Sequence, residues 1–303
     1  MSRFISIIEV GPRDGLQNEQ QVLDVQDRLE FIGRLDACGV QRMEVVSFVN
    51  PKRVPQMAGA EEIMAALSPA KLKGRIGLVL NDKGWDRAVA AGCDEANIVV
   101  CASQGFGIRN QGSTPSEQMA TLAQIMAQKA VLGGPSVTMT LSVAFGCPFD
   151  GEVSQDQVVA LTGEAARLGV DEIAIADTIG AADPWMVRRR IEAVRKVIGD
   201  TPLRLHFHDT RNTGLATAYA GVEAGIDRLD ASCGGIGGCP FAPNATGNIG
   251  TEDLVNMLHR GGYDTGLDLQ GLITTAGWIC DKLGKTAPSS LARAGAFALT
   301  PAP

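Results

Sequence analysis

Several features that would place this 303-residue chain in other protein classes are missing from it. Its seven cysteines form no CxxC pair and follow no regular spacing, which disfavours a disulfide framework and a structural zinc site and predicts reduced thiols. No apolar run approaches the ~20 residues that a membrane span needs. Nothing before Phe4 could serve as a signal peptide. We therefore expect a cytoplasmic protein with no membrane partner.

Positive charge is also scarce, with 27 Lys and Arg against 34 Asp and Glu and a net charge of −7. The one short basic run, Arg188 to Arg190, is interpreted as a solvated helix face. Nucleic acid is therefore not expected as a partner. A hydrophobic content of 45% with 20% charged residues is ordinary for a soluble enzyme with a large core. The length fits either two domains or one α/β barrel.

A repeated sequence pattern predicts the fold. Four times an amphipathic run is followed by Gly, an apolar residue, a polar residue and a short apolar strand, with the glycines at Gly39, Gly92, Gly169 and Gly225. A Gly past the last helical turn adopts the left-handed conformation that satisfies the free carbonyls. Short strands that alternate with helices pair in parallel, because parallel neighbours need a crossover connection.

The complete pattern contains eight strands, which favours a (β/α)8 TIM barrel; a doubly wound sheet with one miscounted unit is the alternative. Residues 1–262 form the expected catalytic domain, and residues 263–303 a C-terminal helical extension and tail. The predicted strands are Ile5–Glu9, Met43–Val46, Ile76–Leu80, Ala96–Val100, Val137–Val143, Ile173–Ala176, Leu203–Phe207 and Arg228–Ala231. Predicted helices include Val25–Ala37, Pro115–Val131, Gln155–Leu168, Pro184–Ile198, Thr251–Arg260 and Leu269–Leu283.

Unusual polar residues follow these strands, at the barrel end where active sites are built. His206 and His208 matter most, because the chain has only three histidines and period-two alternation turns both imidazoles towards the barrel interior. A hydrogen-bonded core pair is the plain alternative, but Asp14, at a nearby strand end, favours a metal site. Imidazole with oxygen ligands suits Mg²⁺ or Mn²⁺, with Zn²⁺ still open. His259, near a helix C-terminus, is interpreted as a surface residue.

Four other strand-end residues are candidates for catalysis. Arg13 beside Asp14 suits an oxyanion that develops in a transition state, although a surface salt bridge is the alternative. Glu44 and Asp177 are acids at strand ends, equally suited to orienting ligands and to moving protons. Cys239 lies on a Gly-rich loop beyond the last strand, where a reactive thiol and a buried structural cysteine are both reasonable.

At this point the sequence resembles the hydroxymethylglutaryl-CoA lyase family of the DRE-TIM metallolyases. The resemblance runs in unbroken order from about Ile5 to Cys280, and the loop that contains Cys239 matches the family signature. The matching segments are Glu9–Asn18, Ser47–Pro51, Gly146–Pro148, Asp177–Gly180, His206–Thr210, Gly234–Ala242, Ala245–Asn248 and Thr251–Val255.

The resemblance implies retro-Claisen cleavage of 3-hydroxy-3-methylglutaryl-CoA to acetyl-CoA and acetoacetate, as in leucine degradation and ketone-body formation, by a homodimer. It implies that Arg13 steadies the enolate, that the Cys239 loop closes over the site, and that Glu44 and Asp177 are important for activity. Gln17, Ser47 and Thr178 are then expected to bind substrate. The residues implied to hold Mg²⁺ or Mn²⁺ are Asp14, His206, His208 and Asn248.

Several positions depart from the family pattern without touching the implied ligands. A paralogous lyase acting on another 3-hydroxyacyl-CoA is therefore an alternative. A Claisen-type condensing synthase is disfavoured by the Cys239 loop and by the lack of room for a regulatory domain. A non-catalytic metal-binding barrel would leave Arg13 and Cys239 unexplained. The departures are Gln20, Val46, Gln104, Thr140, Asn212 and Gly214.

Overall fold

Eight parallel strands close into a barrel in their order along the chain, and β8 pairs with β1. This computed structural model describes residues 2–67, 72–238 and 247–297. The predicted TIM barrel is confirmed, and the open-sheet alternative is excluded by the β8–β1 pairing. The strands are β1 Ser6–Glu9, β2 Arg42–Ser47, β3 Gly74–Val79, β4 Glu95–Cys101, β5 Ser136–Ser142, β6 Glu172–Asp177, β7 Leu203–Phe207 and β8 Arg228–Ala231.

Helices lie between the strands, and most begin at a side-chain cap. Asp24 accepts the backbone N–H of Asp27 at the start of α1, and Thr114 forms a reciprocal capping box with Glu117 at the start of α5. The helices are α1 Val25–Ala37, α2 Ala60–Ala66, α3 Asp82–Ala90, α4 Gln104–Gln111, α5 Pro115–Leu132, α6 Gln155–Arg167, α7 Pro184–Ile198, α8 Gly214–Glu223, α9 Thr251–Arg260, α10 Leu269–Lys282 and α11 Leu291–Ala294.

The repeated glycines end helices as predicted. After α1, the N–H of Val40 donates to the carbonyl of Leu35 at 3.2 Å, which is the bond expected when the chain turns through a left-handed residue. The same bond recurs in the other three repeats. All four glycines have positive φ: Gly39 (92°), Gly92 (71°), Gly169 (79°) and Gly225 (92°).

The prediction that Arg188 to Arg190 form a solvated helix face was wrong for Arg190. Arg188 and Arg189 are exposed on α7, but Arg190 is buried. It donates to the backbone carbonyl of Val153 at 2.5 Å, and its guanidinium lies 5.1 Å from the ring centroid of Phe145. The reason is helical spacing, because Arg190 falls on the stripe of α7 that faces the barrel.

The predicted helical extension is present and packs on the barrel. Trp278 of α10 lies 6.2 Å from Phe31 of α1 between ring centroids, and Lys282 donates to Asp27 at 2.6 Å. The six cysteines in the described ranges are buried free thiols. Among the helices of those ranges, we find none with the length and apolar character of a transmembrane segment.

Candidate metal centre and active site

A single turn of π-helix, Gly11–Gly15, follows β1 and carries the first two site residues. The carbonyl of Val10 accepts backbone N–H groups from Asp14 at 2.7 Å and from Gly15 at 3.1 Å. Such π turns occur frequently at functional sites. Here the turn places Arg13 and Asp14 at the C-terminal mouth of the barrel.

Asp14 lies close to two histidines at this mouth, one in β7 and one directly after it. His206 and His208 are buried, and their ring centroids lie 5.1 Å apart. One potential ligand atom from each of these three residues falls within 4.8 Å of the others. The third histidine lies elsewhere: His259 is exposed at the end of α9 and contacts Thr265 Oγ1 at 2.8 Å.

Asn248 joins this cluster from a distant part of the chain. It pairs with His208 in an antiparallel bridge, and its Nδ2 donates to Asp14 Oδ2 at 2.8 Å and to the carbonyl of Ile236 at 3.2 Å. Gly237 makes this approach possible: its φ is +106°, and a Cβ there would lie 2.7 Å from Asn248 Nδ2.

These four residues fit a divalent ion. Asn248 Oδ1 is buried and has no hydrogen-bond partner within the described ranges, and His208 Nε2 lies 3.8 Å from Asp14 Oδ2. Buried polar atoms are rarely left unpaired unless a ligand, ion or water completes them. One carboxylate, one amide oxygen and two imidazoles form a mixed oxygen and nitrogen donor set that accommodates Mg²⁺ or Mn²⁺.

The charges around the cluster also suit a cation. Burial, followed by the nearby His206, lowers the pKa of His208 to about 4, so its imidazole is neutral near pH 7, as a metal ligand must be. Burial alone would raise the pKa of Asp14, but the positive charge of Arg13, followed by the electrostatic effect of the two histidines and the Asn248 hydrogen bond, holds that pKa below its ordinary range.

Arg13 is fixed by carboxylates on two sides. Its Nε donates to Glu44 Oε2 at 2.6 Å, its Nη1 donates to Asp14 Oδ1 at 2.6 Å, and its Nη2 pairs with Glu44. Burial opposes the charge of Arg13, but Glu44 and Asp14 raise the pKa of the guanidinium above its ordinary value. The surface-salt-bridge interpretation does not apply, because Arg13 is only 8% exposed.

Hydrogen bonds extend this array across the barrel interior. Glu44 Oε1 accepts from Asn97 Nδ2 at 2.9 Å, and Asn97 Oδ1 accepts from Thr140 Oγ1 at 2.7 Å. Sequence reasoning missed Asn97, although a polar residue within the apolar segment Ala96–Val100 was a usable signal. Thr140, one of the family departures, therefore connects through Asn97 and Glu44 to Arg13.

Asp177 and Thr178 hold backbone at the end of β6. The two carboxylate oxygens of Asp177 accept the N–H groups of Ala181 and Ala182 at 2.8 and 2.9 Å. Thr178 Oγ1 accepts the N–H of Val143 at 2.8 Å. Val143 has a φ of +49°, a strained conformation for a β-branched residue, directly after β5. Both predicted residues thus shape the mouth of the barrel.

Two other predicted substrate-binding residues, Gln17 and Ser47, carry buried polar atoms without a partner. Gln17 Oε1 and Ser47 Oγ make no hydrogen bond within the part of the chain that the structure describes. Cys239, the remaining predicted catalytic residue, lies outside the described residues.

Two of the family departures have a backbone explanation. Asn212 has a φ of +56°, and Asn tolerates this left-handed conformation better than other side chains, so it can replace the glycine typical of the family. At Gly214 a Cβ would lie 2.4 Å from Ile249 Cγ2. Gln20 and Gln104 are exposed. Of these departures, Thr140 is the one hydrogen-bonded into the network of Arg13.

Comparison with known proteins places this geometry in a family. The family described as HMGL-like matches residues 4–279. The chain is 42% identical to the (R)-citramalyl-CoA lyase of Chloroflexus aurantiacus, covering 96% of this chain and 95% of that one. It is 38% identical to a hydroxymethylglutaryl-CoA lyase of Bacillus subtilis, with coverages of 94% and 95%.

A solved structure of an HMG-CoA lyase is also similar to this chain over almost its whole length. The HMG-CoA lyase from Acinetobacter baumannii, in complex with coenzyme A and 3-methylmalate, superposes with a TM-score of 0.93 at 39% identity, covering 99% of this chain and 98% of that one. The chain therefore belongs to the HMGL-like family and is an enzyme of its hydroxymethylglutaryl-CoA lyase group.

Proposed function

We propose that this enzyme cleaves 3-hydroxy-3-methylglutaryl-CoA to acetyl-CoA and acetoacetate by a metal-dependent retro-Claisen reaction. The observation that carries the proposal is the meeting of Asp14, His206 and His208 within 4.8 Å, beside the buried Arg13. The bond between C2 and C3 of the substrate breaks when a general base takes the proton of the C3 hydroxyl, whose oxygen becomes the ketone of acetoacetate. The bonding electrons then pass to the thioester as an enolate.

A divalent ion would be held by the carboxylate of Asp14, the imidazoles of His206 and His208, and the amide oxygen of Asn248. When bound, Mg²⁺ or Mn²⁺ makes a substrate hydroxyl more acidic. Asn248 has a second function in the protein, because its Nδ2 hydrogen bond orients Asp14.

Arg13 would stabilise the enolate oxygen. A guanidinium has five N–H donors, and the contacts with Glu44 and Asp14 use three of them. Two N–H groups remain for the thioester oxygen as it gains charge. Glu44 holds the guanidinium in place before the reaction begins, so little reorganisation is needed when the charge develops.

The remaining predicted residues would control the mouth of the site. Asp177 and Thr178 position the segments after β6 and β5, and Gln17 and Ser47 offer free polar atoms to the substrate. We infer from the family resemblance that Cys239 brings a thiol to the mouth when its loop closes. Protonation of the enolate carbon then completes acetyl-CoA.

(R)-Citramalyl-CoA is a second candidate substrate, favoured by the 42% identity to a lyase with that name. Its carboxylate is bonded directly to C3, whereas in hydroxymethylglutaryl-CoA one methylene separates C3 from the carboxylate. The same bond cleavage would then yield acetyl-CoA and pyruvate. Thr140 is a small polar residue in the barrel, and its departure from the family pattern is compatible with a substrate that carries a different substituent on C3.

The two substrates can be distinguished by their products. Purified enzyme is incubated with each thioester and Mg²⁺, and acetoacetate and pyruvate are measured by coupled dehydrogenase assays. We expect acetoacetate from hydroxymethylglutaryl-CoA, loss of activity with EDTA, and recovery with Mg²⁺ or Mn²⁺. Pyruvate alone would identify the second candidate, and cleavage of neither thioester at high enzyme concentration would contradict the proposal.

Arg13→Ala provides a test of the site itself, with Arg188→Ala on the exposed face of α7 as the matched control. Only the first should lose turnover. A condensing synthase would be indicated if acetyl-CoA were consumed and not released. We also propose a homodimer in the cytoplasm, which size-exclusion chromatography with light scattering and cell fractionation would test.

A further inference from the structure

A buried carboxylate contacts Nδ1 of His206, one of the two metal-site histidines. Asp230 of β8 is 5% exposed, and its Oδ2 lies 3.1 Å from His206 Nδ1. Its Oδ1 lies 3.4 Å from the Nε of Arg204, which is 1% exposed. Neither Asp230 nor Arg204 belongs to the residues that the proposed reaction uses.

The strand geometry explains why these three side chains meet. Arg204 and His206 are two residues apart on β7, so both point to the same side of the strand, into the barrel. β8 is the next strand, paired with β7 through Leu205 and Leu229, and Asp230 follows directly after Leu229. Asp230 therefore lies within reach of both side chains.

Arg204 connects Asp230 to a charged network at the opposite end of the barrel. Its Nε lies 3.2 Å from Glu172 Oε1, and Arg42 donates to both Glu172 and Glu95 at 2.8 to 3.0 Å. This network lines a cavity of about 490 Å³ at the N-terminal end of the strands, remote from the substrate mouth. Arg204 thus pairs with two buried carboxylates at once, Glu172 and Asp230.

We propose that Asp230 is a positioning residue for the metal centre, which accepts the Nδ1–H of His206 and leaves the Nε2 lone pair of that ring for the ion. The inference rests on the proposed metal site. Metal-binding histidines commonly donate their second N–H to a carboxylate, which fixes both tautomer and ring orientation. His208 differs, because its Nδ1 has no partner among the described residues.

A purely structural role makes a different prediction. If Asp230 serves only to neutralise Arg204, its removal should reduce stability without a specific effect on metal affinity or on the tautomer of His206. Mn²⁺ binding in the absence of substrate is therefore a suitable measurement, because it is independent of turnover.

The test uses Asp230→Asn, which keeps the shape of the side chain and removes its charge. The fraction of free Mn²⁺ in titrations of metal-free enzyme is followed by electron paramagnetic resonance. Removing a group that hydrogen-bonds to a metal ligand weakens metal binding about 10- to 100-fold, and we expect a loss of this size. Asp227→Asn is the control, because Asp227 lies just before the same strand but its side chain is 57% exposed; its Mn²⁺ affinity should equal that of the wild type.

A second measurement does not depend on the folding of Asp230→Asn. With only three histidines in the chain, ¹⁵N-histidine NMR of the metal-free wild type at alkaline pH reports each tautomer, and His259→Gln and His208→Gln assign the signals. We expect the proton of His206 on Nδ1. A proton on Nε2, or an unchanged Mn²⁺ affinity in Asp230→Asn, would overturn the inference. A wild type that binds no Mn²⁺ would instead contradict the proposed metal site.

Discussion

Glu9 gives the sharpest prediction about stability. It is fully buried at the end of β1, where Oε1 accepts the N–H groups of Gly11 at 2.7 Å and Cys233 at 3.0 Å, and Oε2 accepts the hydroxyl of Thr251 at 2.6 Å. In the ranges that the structure describes, no Lys or Arg pairs with it. Burial therefore raises the pKa of Glu9 from its ordinary value of 4.5 to about 7, despite these hydrogen bonds.

The direction of the pH effect follows from proton linkage. The folded protein holds the proton of Glu9 more tightly than the unfolded chain does. Its contribution to stability is therefore fully present below about pH 4.5 and is lost as the pH rises through about 7. At ~1.4 kcal/mol for each tenfold change in proton affinity, ionised Glu9 costs about 3 kcal/mol of unfolding free energy.

The perturbation is Glu9→Gln, which keeps the shape of the side chain and cannot ionise. Urea unfolding of both proteins is measured with EDTA between about pH 5 and pH 8, so that metal binding does not contribute. The variant should gain about 2.5 kcal/mol relative to the wild type across this range. Glu164→Gln on the exposed face of α6 makes the same chemical change and should leave the wild-type pH dependence intact.

Two outcomes would refute the reasoning about Glu9. If the stabilities of Glu9→Gln and the wild type run parallel from about pH 5 to pH 8, the carboxyl has the same proton affinity in the folded and unfolded states. If the variant instead loses stability relative to the wild type as the pH rises, the ionised carboxylate is the form that the fold prefers.

Four further predictions concern the site. Arg13→Ala should lower kcat on the order of 10²- to 10³-fold while Mn²⁺ affinity, measured by titration, stays near that of the wild type; loss of metal binding would contradict its assigned role. Asn248→Ala removes a ligand oxygen and should weaken Mn²⁺ binding about 10-fold or more, and an unchanged affinity would exclude Asn248 from the ligands. Cys239→Ser should reduce turnover without changing the thermal unfolding midpoint, and unaffected kinetics would indicate a structural cysteine. Thr140→Val removes the hydrogen bond to Asn97 and should change the ratio of kcat/KM for the two thioesters by up to about 10-fold, with equal effects on both contradicting a role in specificity.

The fold was predictable because its signals are local. Each helix-ending glycine is specified by the few residues around it, and the left-handed conformations of Gly39, Gly92, Gly169 and Gly225 bear this out. Strand β7 illustrates the same point, since period two alone turned His206 and His208 towards one side. Because parallel strands of a barrel end at one mouth, the approach of Asp14 to these histidines followed from the fold.

The contacts that complete the site are long-range, and local patterns do not encode them. Asn248 reaches Asp14 across 234 positions of the chain, and Glu44 meets Asn97 across 53. Before the family resemblance, Asn248 was one polar residue in a loop. Asp230 had a local signal, a charged residue between Leu229 and Ala231, but its contact with His206 depends on the pairing of β7 with β8.

The residues of the site indicate which bond is cleaved, but they do not specify which acyl group the substrate carries. In the proposed reaction, the metal ligands and Arg13 act on the hydroxyl and the thioester oxygen, which every 3-hydroxyacyl-CoA contains. Enzymes that act on different acyl groups can therefore use the same ligands, and the chain is similar to two lyases that are named for different acyl groups. One methylene in a binding pocket is worth only about 1–3 kcal/mol, so a few side chains suffice to change the preferred substrate. We propose that the residues that discriminate between acyl groups lie outside the metal ligands, near Thr140. Of the positions that depart from the family pattern, Thr140 is the one whose side chain connects to Arg13 through hydrogen bonds.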